Sequence, residues 1–186
     1  METLRDAVAS LDVLIALGTH PPIREKDIDA HLGIPSDQRA QLGVRVFNHA
    51  WDRPEAWARI GTISAGEMER ISPGFLVEEV VDEINKRVLA ADHILIIGPV
   101  FPHEVVGFSG GYKYFFPGIS GPTMLHRLHW LGALITNPKI NGIKWTPVRK
   151  MIHRAASFVD IPTTLVALVM RHRDIHGLFI GDPIAA

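Results

Sequence analysis

The sequence predicts an α/β fold: a mostly parallel sheet flanked by helices, Rossmann-like, in a single domain with a C-terminal hairpin. Three observations carry this. Short apolar runs bounded by Gly and Pro read as buried strands, segments with helical spacing lie between them, and two β-rich runs stand together near the end. Leu11 to Leu17 is the first apolar run, stopping at Gly18-Thr19-His20-Pro21-Pro22. A short helix is expected from Arg24 to Leu32, where Gly33 ends it. Val44 to Phe47 and Ile60 to Ser64 are the next strands, separated by a loop holding Asn48, His49, Trp51 and Trp57. Phe75 to Ile84 satisfies neither period cleanly. His93 to Gly98 is near-continuously apolar, as expected of a strand covered on both faces. Gly107 to Gly121 contains five glycines and reads as a loop whose backbone approaches something closely. Helices are expected at Pro122 to Leu134, with proline early, where its missing N–H does no harm, and at Pro147 to Phe158. Leu165 to Met170 and Ile175 to Ile180, joined by Arg171-His172-Arg173-Asp174, form the hairpin.

The chain of 186 residues has room for one domain, and 47% hydrophobic with 21% charged residues suffices for a core, which excludes intrinsic disorder. Nineteen basic against twenty acidic residues leave no cationic excess for nucleic-acid binding. The absence of cysteine excludes a disulfide framework, thiolate metal sites and cysteine nucleophiles, and fits a reducing compartment. Any metal must be held by His, Asp, Glu or a non-protein group. Met1 to Asp6 carries two acids and no apolar stretch of the secretory kind. The longest apolar runs fall short of the roughly 20 residues a bilayer requires. The expected location is cytoplasmic.

Ten histidines are present, and their placement is more informative than their number. His20 and His103 each follow an apolar strand across a Gly or Pro turn, where open α/β sheets gather reactive groups. Two such rings could exchange protons on opposite faces of one carbon, as a racemase or epimerase requires, or each could simply cap a loop. The loop Gly107-Phe-Ser-Gly-Gly-Tyr-Lys113 could cradle an anion, but it is no Walker A motif, because Tyr114 follows Lys113 where Ser or Thr is needed. Lys113 between two tyrosines in an apolar stretch would be partly desolvated, hence nucleophilic. His126 and His129 share a helix face and with His103 could form a three-histidine zinc site. His49 ends a strand near two tryptophans. Trp130 reads as core and the remaining histidines as surface or packing residues.

Gly18-Thr19-His20, Pro102-His103 through Gly107-Phe-Ser-Gly-Gly-Tyr-Lys113, Pro117-Gly118-Ile-Ser-Gly121, and His129-Trp130 together resemble the lactate racemase family, which uses a nickel-pincer nucleotide. The resemblance runs nearly the whole chain, to Gly181-Asp182-Pro183. It implies that residues 1–186 form the family's N-terminal, cofactor-binding domain, without an upstream Asp/Arg motif and a C-terminal domain. It implies that Lys113 forms a thioamide with the cofactor and that His129 completes nickel coordination, the other ligands being a carbon and two sulfurs of the cofactor. It assigns His20 and His103 as acid/base residues serving a hydride transfer from C2 of a 2-hydroxy acid to the cofactor's pyridinium ring. The amides of Ser109, Gly110 and Gly111 are assigned to phosphate or cofactor contacts. Pro21 departs from the basic residue the family commonly places after the first histidine.

The leading expectation is therefore a racemase or epimerase of lactate or a related 2-hydroxy acid, served by cofactor-biosynthesis proteins. A non-catalytic or partial domain that binds a nucleotide or a complementary chain is the alternative. A histidine-ligated zinc hydrolase comes third.

Overall fold

The computed structural model describes Leu4, residues 7–172 and residues 174–185; the rest of the Met1 to Asp6 segment, and Arg173 of the predicted hairpin link, lie outside the described residues. Strand β1 (Leu11–Ile15) pairs in parallel with β2 (Val44–Asn48) across helices α1 (Glu25–Leu32) and α2 (Ser36–Gln41). Gly33 ends α1 in the left-handed conformation, as its position predicted. Strand β3 (Trp57–Ile63) leads through α3 (Ala65–Ile71) to β4 (Val80–Asn85), its antiparallel partner. Strand β5 (Ile94–Pro99) precedes a two-residue ribbon, β6 (Pro102–His103) with β7 (Gly107–Phe108). Helices α4 (Pro122–Ile135) and α5 (Pro147–Ala156) then lead to the hairpin β8 (Thr163–Arg171) and β9 (Asp174–Gly181).

The α/β class and the hairpin agree with expectation, but there is no single parallel Rossmann-like sheet. Among the described residues the strands form four small, mixed sheets: β1-β2, β3-β4, β5-β8-β9 and β6-β7. Apolar runs report burial, not partners. Nor does connection length decide the pairing: residues 64–79, with α3 among them, are long enough for a parallel crossover, yet β3 and β4 pair antiparallel. Phe75 to Ile84, ambiguous in sequence, resolves as a loop followed by β4.

Strand β5 is covered on one face only, which corrects the reading of His93 to Gly98. Ile96 joins Leu165, Ala167 and the buried sides of α4 and α5 in the core. The other face is open, with Ile97 61% exposed and Ile180, in the same sheet, 62%. Trp130 is not core either: it is 54% exposed on α4.

Helix α4 buries Met124, Leu125, Leu128, Leu131 and Ile135, an apolar stripe at spacings of three and four. Its first turn is held by Glu83 of β4, whose carboxylate accepts from the Thr123 amide at 3.1 Å and the Thr123 hydroxyl at 3.2 Å. A carboxylate at a helix N-terminus satisfies a free amide and complements the dipole. The helix carrying His129 is thus fixed from a neighbouring strand. Helix α3 begins with a capping box between Ser64 and Glu67. None of the described helices is long and apolar enough to cross a membrane.

The ribbon depends on Gly107, which has φ +89°, and a methyl there would overlap the Ile143 carbonyl oxygen. Gly107→Ala is expected to cost about 2–4 kcal/mol, since strained φ and a backbone clash add. Urea unfolding of the purified chain would check this; a loss below the error of the midpoint would refute the packing argument.

Candidate active site

The residues singled out in sequence sit on three connected loops and one helix. The Gly-rich loop after β7 runs into a short 3₁₀ turn, Gly111–Tyr114, that carries Lys113. The loop is pinned at several points. The Ser109 amide donates to the Phe101 carbonyl at 2.8 Å, its hydroxyl donates to the Pro99 carbonyl at 2.9 Å, and the Phe101 amide donates to that hydroxyl at 3.0 Å. The Ser109 amide is therefore already committed within the fold. Gly111 (φ +57°) lies so close to the C-terminal segment that a Cβ would come within 2.6 Å of the Pro183 carbonyl oxygen. Tyr114 seals the other side, its hydroxyl donating to the Pro99 carbonyl at 3.1 Å.

Lys113 is partly buried by these walls. Burial first, and the cationic Arg149 second, lower its pKa, while Glu104 opposes them. An amine held below its usual value presents more of its neutral, nucleophilic form. His103, on β6, is likewise held below the ordinary imidazole value, by burial first and then by Lys113; Glu104 raises it, while His129 and Arg149 lower it further. His103 thus lies within electrostatic reach of both Lys113 and His129. His103 Nδ1 accepts from the Val105 amide at 3.1 Å and lies 3.7 Å from a Glu104 carboxylate oxygen.

His129 is exposed on α4 and donates from Nδ1 to the Leu125 carbonyl at 2.8 Å, one turn back. That bond fixes the tautomer and leaves Nε2 with a free lone pair, the state a metal ligand needs. His20 is exposed at the end of β1. Its turn is tied to the lysine loop through the backbone, Gly18 N–H donating to the Gly118 carbonyl at 2.8 Å. Its imidazole shares no hydrogen bond with His103.

His126 turns away from this group and packs edge-on to Trp51, with ring centroids 5.7 Å apart. No three His, Asp or Glu side chains able to hold a metal come together among the described residues, so the predicted His103, His126 and His129 zinc site is not assembled. His49 is structural: it is buried, with Nε2 bonded to the Ser120 carbonyl at 2.9 Å and Nδ1 to the Asn85 amide at 3.1 Å.

The model of the lactate racemase N-terminal domain matches residues 1–141. The chain belongs to this family. The lactate racemase of Thermoanaerobacterium thermosaccharolyticum is 27% identical over 175 residues, covering 93% of this chain and 37% of that protein. A crystal structure of a Thermotoga maritima protein superimposes with TM-score 0.86 at 30% identity, covering 96% of this chain and 44% of that one. The lactate racemase apoprotein from Thermoanaerobacterium thermosaccharolyticum gives TM-score 0.76 at 22% identity, over 94% of this chain and 38% of that one. The chain therefore spans less than half the length of each of these lactate racemase relatives and structural neighbours.

Within this lactate racemase domain, sequence reasoning missed two residues. Arg149 is one, a buried cation reaching the glycine loop from α5. Glu83 is the other, the acid that caps α4. Neither lies in a motif, and only the sequence-distant pairing of elements reveals them.

Proposed function

We propose that this chain is the cofactor-binding domain of a 2-hydroxy-acid racemase or epimerase acting on lactate or a relative. The observation that supports it best is the placement of His103 within electrostatic reach of both Lys113 and His129 in a chain of the lactate racemase family. The donor set fits a nickel-pincer nucleotide: Lys113 supplies a desolvated amine, and His129 supplies a bare Nε2. Lys113 would hold the group covalently, and His129 would complete the metal's coordination. When bound, the group supplies a hydride acceptor and a metal whose softer ligands come from the cofactor.

His103 and His20 handle the hydroxyl proton. Taking that proton at His103 Nε2 would require the ring proton, which the Val105 amide bond to Nδ1 places on Nε2, to move to Nδ1 and that bond to break; Glu104, 3.7 Å from Nδ1, would then steady the imidazolium. Burial, with the Lys113 charge beside it, favours the neutral ring. His20, on the separate loop after β1, serves the opposite face. The amides of Gly110 and Gly111 remain part of this proposal as contacts for the nucleotide phosphate. A cytoplasmic setting and supply by cofactor-making enzymes belong to the same reading.

Producing the chain together with those enzymes tests it. Intact-mass and peptide analysis should find an adduct on Lys113 with one equivalent of nickel; neither adduct nor nickel would overturn the reading. A second reading, a partial domain that needs a complementary chain, is favoured by the 37% coverage of the lactate racemase relative. Activity only after adding the separately made remainder of such a relative would support it, and racemisation by the isolated chain would exclude it.

A further inference from the structure

We propose that Arg149 is a positioning residue for Lys113, its guanidinium clamping the glycine turn from which the lysine rises. This rests on the reading of Lys113 as the cofactor lysine, but the geometry stands independently of it. Arg149 is only 6% exposed. It sits in the first turn of α5, which Thr146 caps by accepting the Arg149 amide at 3.1 Å. From there one guanidinium nitrogen donates to the Gly110 carbonyl at 3.2 Å and the other to the Phe108 carbonyl. The Gly110 carbonyl also accepts the Lys113 amide at 3.2 Å. The same oxygen thus receives both the clamp and the turn.

The fork bridges two carbonyls flanking Ser109, in a loop that cannot easily hold its own shape. Gly110 has φ +87° and Gly111 φ +57°, conformations in which glycine carries no steric restraint. Something outside the loop must choose one arrangement. Helix α5 is anchored in the core by Val148, Met151 and Ile152, so the guanidinium transmits a rigid position to a pliable segment. A lysine at 149 would keep the positive charge but, as a point donor, could not span both carbonyls in the plane of a fork. The titratable and charged groups facing Lys113 are Arg149 from α5, Glu104 from the turn between β6 and β7, and His103 of β6, whose ring feels the Lys113 charge.

The apo chain suffices for the test. Wild type, Arg149→Lys and Arg149→Met are compared in two measurements: amide hydrogen exchange by peptide, and the pH profile of acylation of each lysine by a small amine-reactive ester. In the Arg149→Lys variant, exchange over residues 108–114 is expected to quicken about tenfold or more, the scale of losing one to two hydrogen bonds, with α1 and β8 unchanged. The acylation midpoint of Lys113 should rise in Arg149→Met, with the exposed Lys26 as internal reference. Unchanged exchange in 108–114, or exchange that rises uniformly along the chain in both variants, would overturn the proposal. Failure of the wild-type chain to take up cofactor on Lys113 would sink the racemase reading while leaving this result in place.

Discussion

A His103→Gln chain is expected to load cofactor on Lys113 as fully as wild type and yet to lose racemisation by about 100- to 10,000-fold, the usual contribution of a positioned acid or base. The split follows from where the ring stands. The backbone of His103 pairs with Gly107 across the ribbon, but the described hydrogen bond of its ring, from the Val105 amide, lies outside the loop that carries Lys113. Removing it takes away a proton carrier without dismantling the attachment point. His20→Gln should behave likewise. In the proposed mechanism each enantiomer gives up its proton to one histidine and is re-formed by way of the other, so either substitution should stop interconversion in both directions. Chiral chromatography of a single enantiomer, using whichever form of the protein racemises, is the measurement. Loss of the Lys113 adduct in His103→Gln, or racemisation within tenfold of wild type, would show that His103 is not the acid or base.

What the sequence disclosed follows a physical division. The strand ends at His20 and His103, the helix start at Pro122 and the C-terminal hairpin are local features, set by turn chemistry and periodicity, and all four were readable. The crowding of Lys113 was readable too, because its apolar neighbours are adjacent in the chain. Sheet partners were not. Pairing of β3 with β4 and of β5 with β8 is a long-range choice that apolar runs leave open, and the expected parallel sheet became four small ones. The one-sided burial of β5 illustrates the same limit, since Ile97 is as apolar as Ile96 but faces outward. Arg149 and Glu83 escaped for a related reason: each acts on a segment far from it in sequence, and an arginine or a glutamate alone carries no signal. The capping box at Ser64 and Glu67 is by contrast a local signal, since its spacing marks a helix start.

Asp82→Asn is expected to stabilise the chain by about 1–3 kcal/mol at pH 8 and by almost nothing near pH 4, the range for burying an unpaired polar or ionised group. Asp82 lies on β4 opposite Gly61, fully buried, and both carboxylate oxygens lack a hydrogen-bond partner. The nearby cation is otherwise engaged: Arg154 donates from Nε to Glu67 at 2.9 Å and lies over the Phe158 ring at 4.1 Å, while Phe158 fills the space beside Gly61. Burial pushes the Asp82 pKa up to about 7; Arg154 opposes the shift, and Glu83 and Glu67 add to it. The sign follows from linkage. The folded chain keeps the Asp82 proton up to about pH 7, whereas the unfolded chain releases it near the ordinary carboxylate value of 3.8. Between those values the folded state binds more protons, so this group's contribution to stability falls as pH rises through the window and levels off above it. Asparagine resembles the protonated acid and cannot ionise, so the difference between variant and wild type should open between pH 4 and pH 7 and stay open. Urea midpoints for both chains across that range are the measurement. A difference that is flat with pH, or an Asp82→Asn chain less stable at pH 8, would mean that the carboxylate finds a partner the geometry does not show. Because Glu83, the next residue, points to the first turn of α4, the substitution should leave the helix carrying His129 in place, and cofactor loading on Lys113 should be unchanged.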